Sequence, residues 1–224
     1  MSTPTLGREF VKFRVRPDRP TFIGKRFAAY LTGKVLDVGC DQAVLKEILG
    51  DRYTGVGMTD AAEKKLDLER EGELPFDDGT WDTVMCLDTL EHLNNLYGMC
   101  NELFRIAREH VIISLPNCWC SSRRSLAKGE GPIWQYGLPI APPPDRHKWF
   151  FNTEEAQNFL VAQSQNKDYP VEVVELVALE NRRPLINRFW RRIKYPSRRH
   201  YLNLYPHTVV CVYKLTKKSS TRSI

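Results

Sequence analysis

The chain has 224 residues, 42% of them hydrophobic, and a formal net charge of +6. This length and composition predict one globular unit with a well-developed core. Its apolar stretches are short and interrupted by charge, which excludes a membrane-spanning helix, and the opening MSTPTLGREF lacks the apolar core of a signal peptide. We therefore expect a cytoplasmic protein.

Charge is unevenly distributed along the chain. Residues 181–224 contain twelve Lys and Arg and no Asp or Glu, whereas acidic groups outnumber basic ones before residue 181. The basic segment 181–200 is typical either of a solvated face or of a surface that binds an anion through the stretch from Arg182 to Arg199. Nucleic acid, a phospholipid surface and a phosphorylated substrate are the candidate partners.

The six cysteines are scattered, and several lie in or beside apolar runs. Small buried thiols are common in such places, so they are interpreted as free structural cysteines. Cys118-x-Cys120 lacks the two-residue gap and the second pair of a zinc site. We predict no metal.

The first half of the chain predicts alternating helices and strands. Residues 1–20 are expected to form an N-terminal arm. Apolar spacing and Gly33 predict a helix at 22–31. There follow a strand at Val35–Val38, a helix at Ala43–Leu49, a strand at Tyr53–Met58 and a short strand at Lys65–Leu68.

The second half continues this alternation within a single domain, 21–215. A strand is predicted at Thr83–Leu87, a helix through Ile106 and a strand at HVIISLPN, so the sheet should be parallel with helices on both faces. The Gly- and Pro-rich stretch 118–147 is interpreted as an irregular substrate lid. Then come a helix at Thr153–Gln163, two antiparallel strands at Val171–Leu179 and His207–Leu215, and a flexible tail, 216–224.

The stretch VLDVGCDQAVL, residues 35–45, marks the first strand-to-helix turn, where open parallel sheets bind ligands. A dinucleotide loop requires G-x-G-x-x-G, but here only Gly39 is present. The carboxylate of Asp41 would also repel a pyrophosphate. A dinucleotide is therefore disfavoured.

Several motifs in order resemble one known family. V-L-D-V-G-C, Leu74-Pro75-Phe76, DGTWDTV and Leu90-Glu91-His92-Leu93 resemble the class I S-adenosylmethionine-dependent methyltransferases of the type 11 group. HVIISLPN is similar to the family's fifth strand, and DRHKWFFNTEE to a downstream block. The resemblance implies a Rossmann-like α/β fold: a mostly parallel seven-stranded sheet with helices on both faces and an antiparallel C-terminal strand pair. It implies S-adenosylmethionine as cofactor.

The resemblance also implies roles for individual residues. Asp37 would order the methionine end of the cofactor, Gly39 would let it approach closely, and Asp67 would reach the adenine amine. The full set of cofactor-binding candidates is Asp37, Gly39, Cys40, Asp41, Met58, Asp60, Asp67, Leu68 and Leu87. The chain departs from the family at Asp41 and Ala43, which replace glycines, and at Gly57, which replaces the ribose carboxylate. Asp60 or Asp41 could supply that carboxylate, and Asp60 could instead cap a helix.

An acceptor hydroxyl would need a base. The candidate catalytic residues are His147, which Asp145 could orient, His92 and Asp88. The alternatives are a surface turn around His147 and a structural role for His92.

Three functions remain open. The first is a methyltransferase for a small molecule or saccharide, including phosphate-bearing or lipid-linked saccharides, and the second is a non-catalytic binding or scaffold protein with altered loops. The third is a nucleic-acid methyltransferase that binds phosphates through the Arg-rich segment. The chain lacks the N-P-P-Y type motif for a flipped base, which disfavours nucleic acid.

Overall fold

A computed structural model of the protein describes residues 5–131, 133, 135–143 and 146–216. Its strands are β1 (Gly7–Val11), β2 (Val35–Val38), β3 (Tyr53–Gly57), β4 (Lys64–Lys65), β5 (Trp81–Leu87), β6 (Ala107–Pro116), β7 (Val171–Asn181) and β8 (Thr208–Leu215). Its α-helices are α1 (Asp18–Arg26), α2 (Lys46–Leu49), α3 (Leu96–Ile106), α4 (Cys118–Lys128), α5 (Thr153–Ala162), α6 (Leu185–Lys194) and α7 (Arg198–Leu204).

The strands form one sheet in the order β1-β7-β8-β6-β5-β2-β3-β4. β8 runs antiparallel to β6 and β7, and all other pairs are parallel. β2 and β5 are neighbours, with Asp37 opposite Met85. From this pair the chain winds towards opposite edges, so a crevice opens at their carboxyl ends.

Successive residues of each central strand enter two separate cores. Leu36 and Val84 belong to the core on the α3 and α5 face, which also holds Leu103. Val35 and Met85 belong to the core on the α1 and α2 face. A sheet buried on both faces explains why its strands are apolar throughout, and the predicted fold class is confirmed.

The number of strands was underestimated, since the sheet has eight strands rather than seven. The additional strand, β1, lies within the predicted arm. Leu6 and Val11 are buried there, and Gly7 pairs with Val177 of β7. This strand depends on a partner far along the chain, so its local sequence is a weak signal.

The lid is also more regular than predicted, because it begins with helix α4. The Asn117 side chain caps this helix by accepting hydrogen bonds from the backbone N–H groups of Trp119 (3.1 Å) and Cys120 (3.3 Å). The helix ends at Gly129 in the left-handed conformation. Helices α6 and α7 similarly occupy most of the basic segment.

The described residues do not include residues 1–4, Trp134, Asp145 or the tail from 217 onward, so the predicted flexible tail beyond Thr216 and the predicted orienting residue of His147 lie outside them. Within the described parts of the chain, no helix has both the length and the apolar composition needed to cross a bilayer.

Candidate functional site

Asp37 lies at the carboxyl end of β2 and faces a cavity of about 600 Å³. Its side chain is buried, and the Tyr53 hydroxyl donates a hydrogen bond of 2.9 Å to its Oδ2 atom. Burial raises the pKa of Asp37 to about 6, although the Tyr53 hydrogen bond opposes this shift. The described residues place no cation beside this carboxylate, so it can pair with a positively charged ligand group.

Gly39 and Cys40 form the turn after β2. Gly39 has φ +83°, and a Cβ atom there would lie 2.3 Å from the Thr89 side chain. The backbone N–H groups of Gly39 and Cys40 both donate to the Val56 carbonyl, at 2.8 and 3.0 Å. The turn is therefore fixed to β3 and uses these amides internally, unlike a phosphate-binding loop.

Ala43 occupies a position where the family has glycine, and it keeps the left-handed backbone, with φ +49°. This conformation explains why α2 begins only at Lys46 and not at Ala43 as predicted. Because a Cβ atom is disfavoured in this conformation, we expect Ala43→Gly to raise the free energy of unfolding by about 1 kcal/mol. Urea denaturation measures the change, and an unchanged or lower stability would contradict the assignment of strain.

Asp88, at the end of β5, is held by several partners. Ser114 Oγ donates a hydrogen bond of 2.7 Å to its Oδ1 atom, and Thr208 Oγ1 donates one of 3.1 Å. Arg19 of α1 forms a close ion pair with Oδ2. Leu87 and Asp88 both line the cavity.

The two predicted histidines come together around Glu91. His92 Nε2 lies 3.8 Å and His147 Nε2 lies 3.9 Å from Glu91 Oε1, and the ring centroids are 4.6 Å apart. His92 Nδ1 is 3.1 Å from the Arg146 carbonyl, and His147 Nδ1 is 2.7 Å from the Tyr136 hydroxyl.

Glu91 is buried and was not among the predicted site residues. One ligand-type atom from each of Glu91, His92 and His147 lies within 4.8 Å of the others, a spacing that could hold a metal ion. The prediction of no metal rests on the spacing of the cysteines and does not consider these three residues, which come from two separate motifs.

The N-terminal segment 13–20 forms a roof over the cavity, a role that the sequence did not predict. Arg16 Nε pairs with Asp41 Oδ2 at 2.8 Å, and Arg19 pairs with Asp88. The roof is therefore attached to the turn after β2 and to the end of β5. Arg19 Nε has no hydrogen-bond partner among the described residues. In the sequence this roof segment is marked by the run of cations in FRVRPDR, but composition alone does not show that these cations pair with Asp41 and Asp88.

His207 is a second contributor that the sequence did not reveal. It lines the cavity beside Phe13, with the ring centroids 5.1 Å apart. Burial, helped by nearby Arg19, lowers its pKa to about 3, so the ring is neutral at ordinary pH. Neither ring nitrogen has a hydrogen-bond partner within the part of the chain that is described.

The remaining predicted cofactor residues do not line this cavity as described. Met58 is exposed, and Asp60 is exposed and pairs with Lys65 at 2.7 Å. Asp67 pairs with Arg70 at 3.2 Å. Leu68 is buried in the core on the α3 face.

Comparisons with known proteins agree with this architecture. Residues 36–115 match the family described as methyltransferase domain. A search of curated proteins found no match. The methyltransferase domain of bacterial CtHen1 is 18% identical, with a TM-score of 0.53 over 90% of this chain and 100% of that one.

Two further solved structures share the fold. A SAM-dependent methyltransferase from Archaeoglobus fulgidus is 18% identical, with a TM-score of 0.53 over 90% of this chain and 96% of that one. The PH0226 protein from Pyrococcus horikoshii OT3 is 16% identical, with a TM-score of 0.52 over 88% and 90%. At these identities the structures establish the fold alone.

The chain's own residues fit the cofactor of this family. Asp37 offers a buried carboxylate to an ammonium group, and the turn at Gly39 is built for close approach rather than for phosphate. The matched segment contains both the turn after β2 and the LEHL motif after β5. Residues 36–115 thus match a methyltransferase domain, and the chain shares the fold of solved S-adenosylmethionine-dependent methyltransferases.

Proposed function

We propose that the protein methylates a hydroxyl of a small molecule or saccharide, phosphate-bearing and lipid-linked saccharides included. The observation that carries this proposal is one cavity lined by two chemically different pairs of residues. One pair is Asp37 and Gly39, and the other is Glu91 and His147. A donor and an acceptor could therefore meet inside one space.

S-adenosylmethionine supplies an electrophilic methyl group when it is bound. Asp37 would hold its ammonium group, while Gly39, Cys40 and Leu87 would border the methionine end. Adenosine would lie towards β3 and β4, near Met58, Asp60, Asp67 and Leu68, with Asp41 as the other acidic candidate. Asp60 would have to exchange Lys65 for the ribose, at little cost because the ion pair is exposed.

We assign Asp88 a positioning role. Its carboxylate already accepts from Ser114 and Thr208 and pairs with Arg19, so little capacity remains for a substrate proton. The strained backbone of Asp88, with φ +47°, turns the chain at the end of β5. Holding Arg19 there keeps the roof over the cavity.

His147 is the proposed base. If its Nδ1–H donates to the Tyr136 hydroxyl, Nε2 is left as the acceptor for the proton of the substrate hydroxyl, with Glu91 nearby to stabilise the imidazolium. His92 contacts the His147 ring edge-on and would fix its orientation.

Polar groups on the roof favour an acceptor with an anionic substituent. Arg14, Arg16 and Arg19 all line the cavity, and His207 can offer a hydrogen bond as a neutral ring. Guanidinium groups bind phosphate and carboxylate well. A sugar phosphate combines such a group with several hydroxyls.

The lid proposal is supported by residues from both of its ends, since Cys118 and His147 line the same cavity. A lid over the acceptor would exclude water. We also propose a single domain, 21–215 together with β1 and the roof, and a cytoplasmic location, where the six free cysteines would stay reduced.

The test begins with calorimetric titration of S-adenosylmethionine and S-adenosylhomocysteine. A radiolabelled methyl donor is then offered with a panel of sugars, sugar phosphates and detergent-solubilised lipid-linked sugars. With an acceptor identified, His147→Gln should lower turnover at least about 100-fold while the cofactor Kd changes little. His200→Gln, in α7, is the matched control and should retain full activity.

Absence of binding by either ligand would reject the enzyme and favour a scaffold protein. Wild-type turnover in His147→Gln would remove the proposed base. Loss of turnover in EDTA with recovery on adding Mn²⁺ would assign Glu91, His92 and His147 to a metal ion instead of proton transfer.

A further inference from the structure

Helix α6 presents a broad apolar face to solvent. Its large apolar side chains are all more than half exposed: Leu185 78%, Ile186 59%, Phe189 58%, Trp190 60% and Ile193 54%. At 100° per residue they cover about 140° of the helix circumference. α6 has no buried residue at all.

The opposite face attaches α6 to the domain through cations. The Arg188 guanidinium lies 3.9 Å from the centroid of the Phe10 ring. Arg191 pairs with buried Glu180 at 3.3 Å and lies 4.2 Å from the Tyr205 ring centroid. A surface helix of a globular protein normally turns its apolar face inward, and α6 is turned the other way.

Cations border the exposed strip. Arg192 and Lys194 are exposed and lie on either side of the apolar arc, next to Leu185 and Trp190 on the helical wheel. No Asp or Glu occurs from residue 181 to the end of the chain. Long cationic side chains beside an apolar strip can reach up to anionic head groups while the strip enters the lipid.

We propose that α6 binds in the plane of a membrane surface that contains anionic phospholipid. Nucleic acid would engage the cations but leave the aliphatic side chains Leu185, Ile186 and Ile193 in water. A second copy of the chain would bring like charges together. An anionic bilayer can bind both the apolar strip and the cations, because Trp and Phe side chains enter the membrane interface while the flanking cations pair with the anionic head groups.

This surface also adjoins the proposed active site. α6 begins shortly after Asn181, which ends β7 and lines the cavity. Membrane binding would therefore bring the cavity near head-group level, where a lipid-linked saccharide presents its sugar. This link to the acceptor rests on the proposed function, whereas membrane binding itself does not.

Flotation of the full chain with vesicles tests the proposal. The protein should float with phosphatidylcholine vesicles that contain phosphatidylglycerol, float less at high salt, and stay in solution with phosphatidylcholine alone. Phe189→Ser combined with Trp190→Ser should weaken binding at least about tenfold, and so should Arg192→Gln combined with Lys194→Gln. Leu126→Ser is the control: Leu126, in α4, is about as exposed as Phe189 and Trp190, and this variant should bind vesicles as the wild type does.

No flotation with anionic vesicles would overturn the proposal. So would unchanged flotation of the Phe189→Ser, Trp190→Ser variant, once circular dichroism shows that it is folded. Dimerisation that this variant abolishes, or tight RNA binding without vesicle binding, would assign α6 to another partner. Methyl transfer to water-soluble acceptors is measured separately, so failure of one proposal does not imply failure of the other.

Discussion

Gly39→Ala should lower the free energy of unfolding by about 2–4 kcal/mol, because an added Cβ is disfavoured at φ +83° and also clashes with Thr89. To relieve this clash the turn after β2 would have to shift, and that shift should abolish measurable S-adenosylmethionine binding. Urea denaturation and calorimetry measure the two effects.

Gly50→Ala is the matched control for this change. Gly50 also has a positive φ, +58°, but a Cβ there would meet nothing within 4 Å. Gly50→Ala should therefore lower the free energy of unfolding only by the backbone contribution, about 1–2 kcal/mol. Adding Thr89→Ala to Gly39→Ala should recover part of the stability. Equal losses at Gly39 and Gly50 would show that contact with Thr89 is unimportant.

Asp37→Asn should stabilise the protein at pH 7.5 by about 1–3 kcal/mol. The pKa of Asp37 is about 6 in the folded state, above its ordinary value of 3.8. Between these values the unfolded chain loses the proton and the folded protein keeps it, so wild-type stability falls as pH rises through this window. Asparagine does not titrate and can still accept the hydrogen bond from Tyr53.

The gain from Asp37→Asn should disappear near pH 4, where wild-type Asp37 is protonated in the folded state. The variant should nevertheless bind S-adenosylmethionine at least about tenfold more weakly, because the carboxylate is its proposed partner for the ammonium group. Thermal unfolding at several pH values, with exposed Asp51→Asn as control, measures the first effect. A variant less stable than wild type at pH 7.5 would show that burial does not penalise this charge.

The central sheet could be predicted because its strands are locally distinctive. Runs such as Val35–Val38 and Thr83–Leu87 are apolar on both faces, and glycines or short helices separate them. β1 carries no such signal, since GREFV becomes a strand only beside Val177. α4 was missed because Gly- and Pro-rich residues follow it, and the composition of the whole stretch 118–147 indicated an irregular loop.

The candidate site was predicted in pieces. His92 and His147 were chosen from separate motifs, but their contact depends on how the lid folds back over Glu91. The turn at Gly39 could be inferred from the resemblance, whereas Ala43 was assigned to a helix and its left-handed conformation was missed. The roof formed by residues 13–20 could not be inferred, because its ion pairs join Arg16 and Arg19 to Asp41 and Asp88, which are distant in sequence.

The pairing of β1 with β7 also sets an order of events during synthesis. β1 is made before β7 and has no partner until residues 171–181 have followed, and closing so long a loop is entropically costly. The roof is continuous with β1, so it reaches its place only after β7 has been made, although it precedes β7 in the chain. A nascent chain that ends before β7 would therefore contain the turn at Gly39 and the LEHL motif but would lack the support that holds the roof above them.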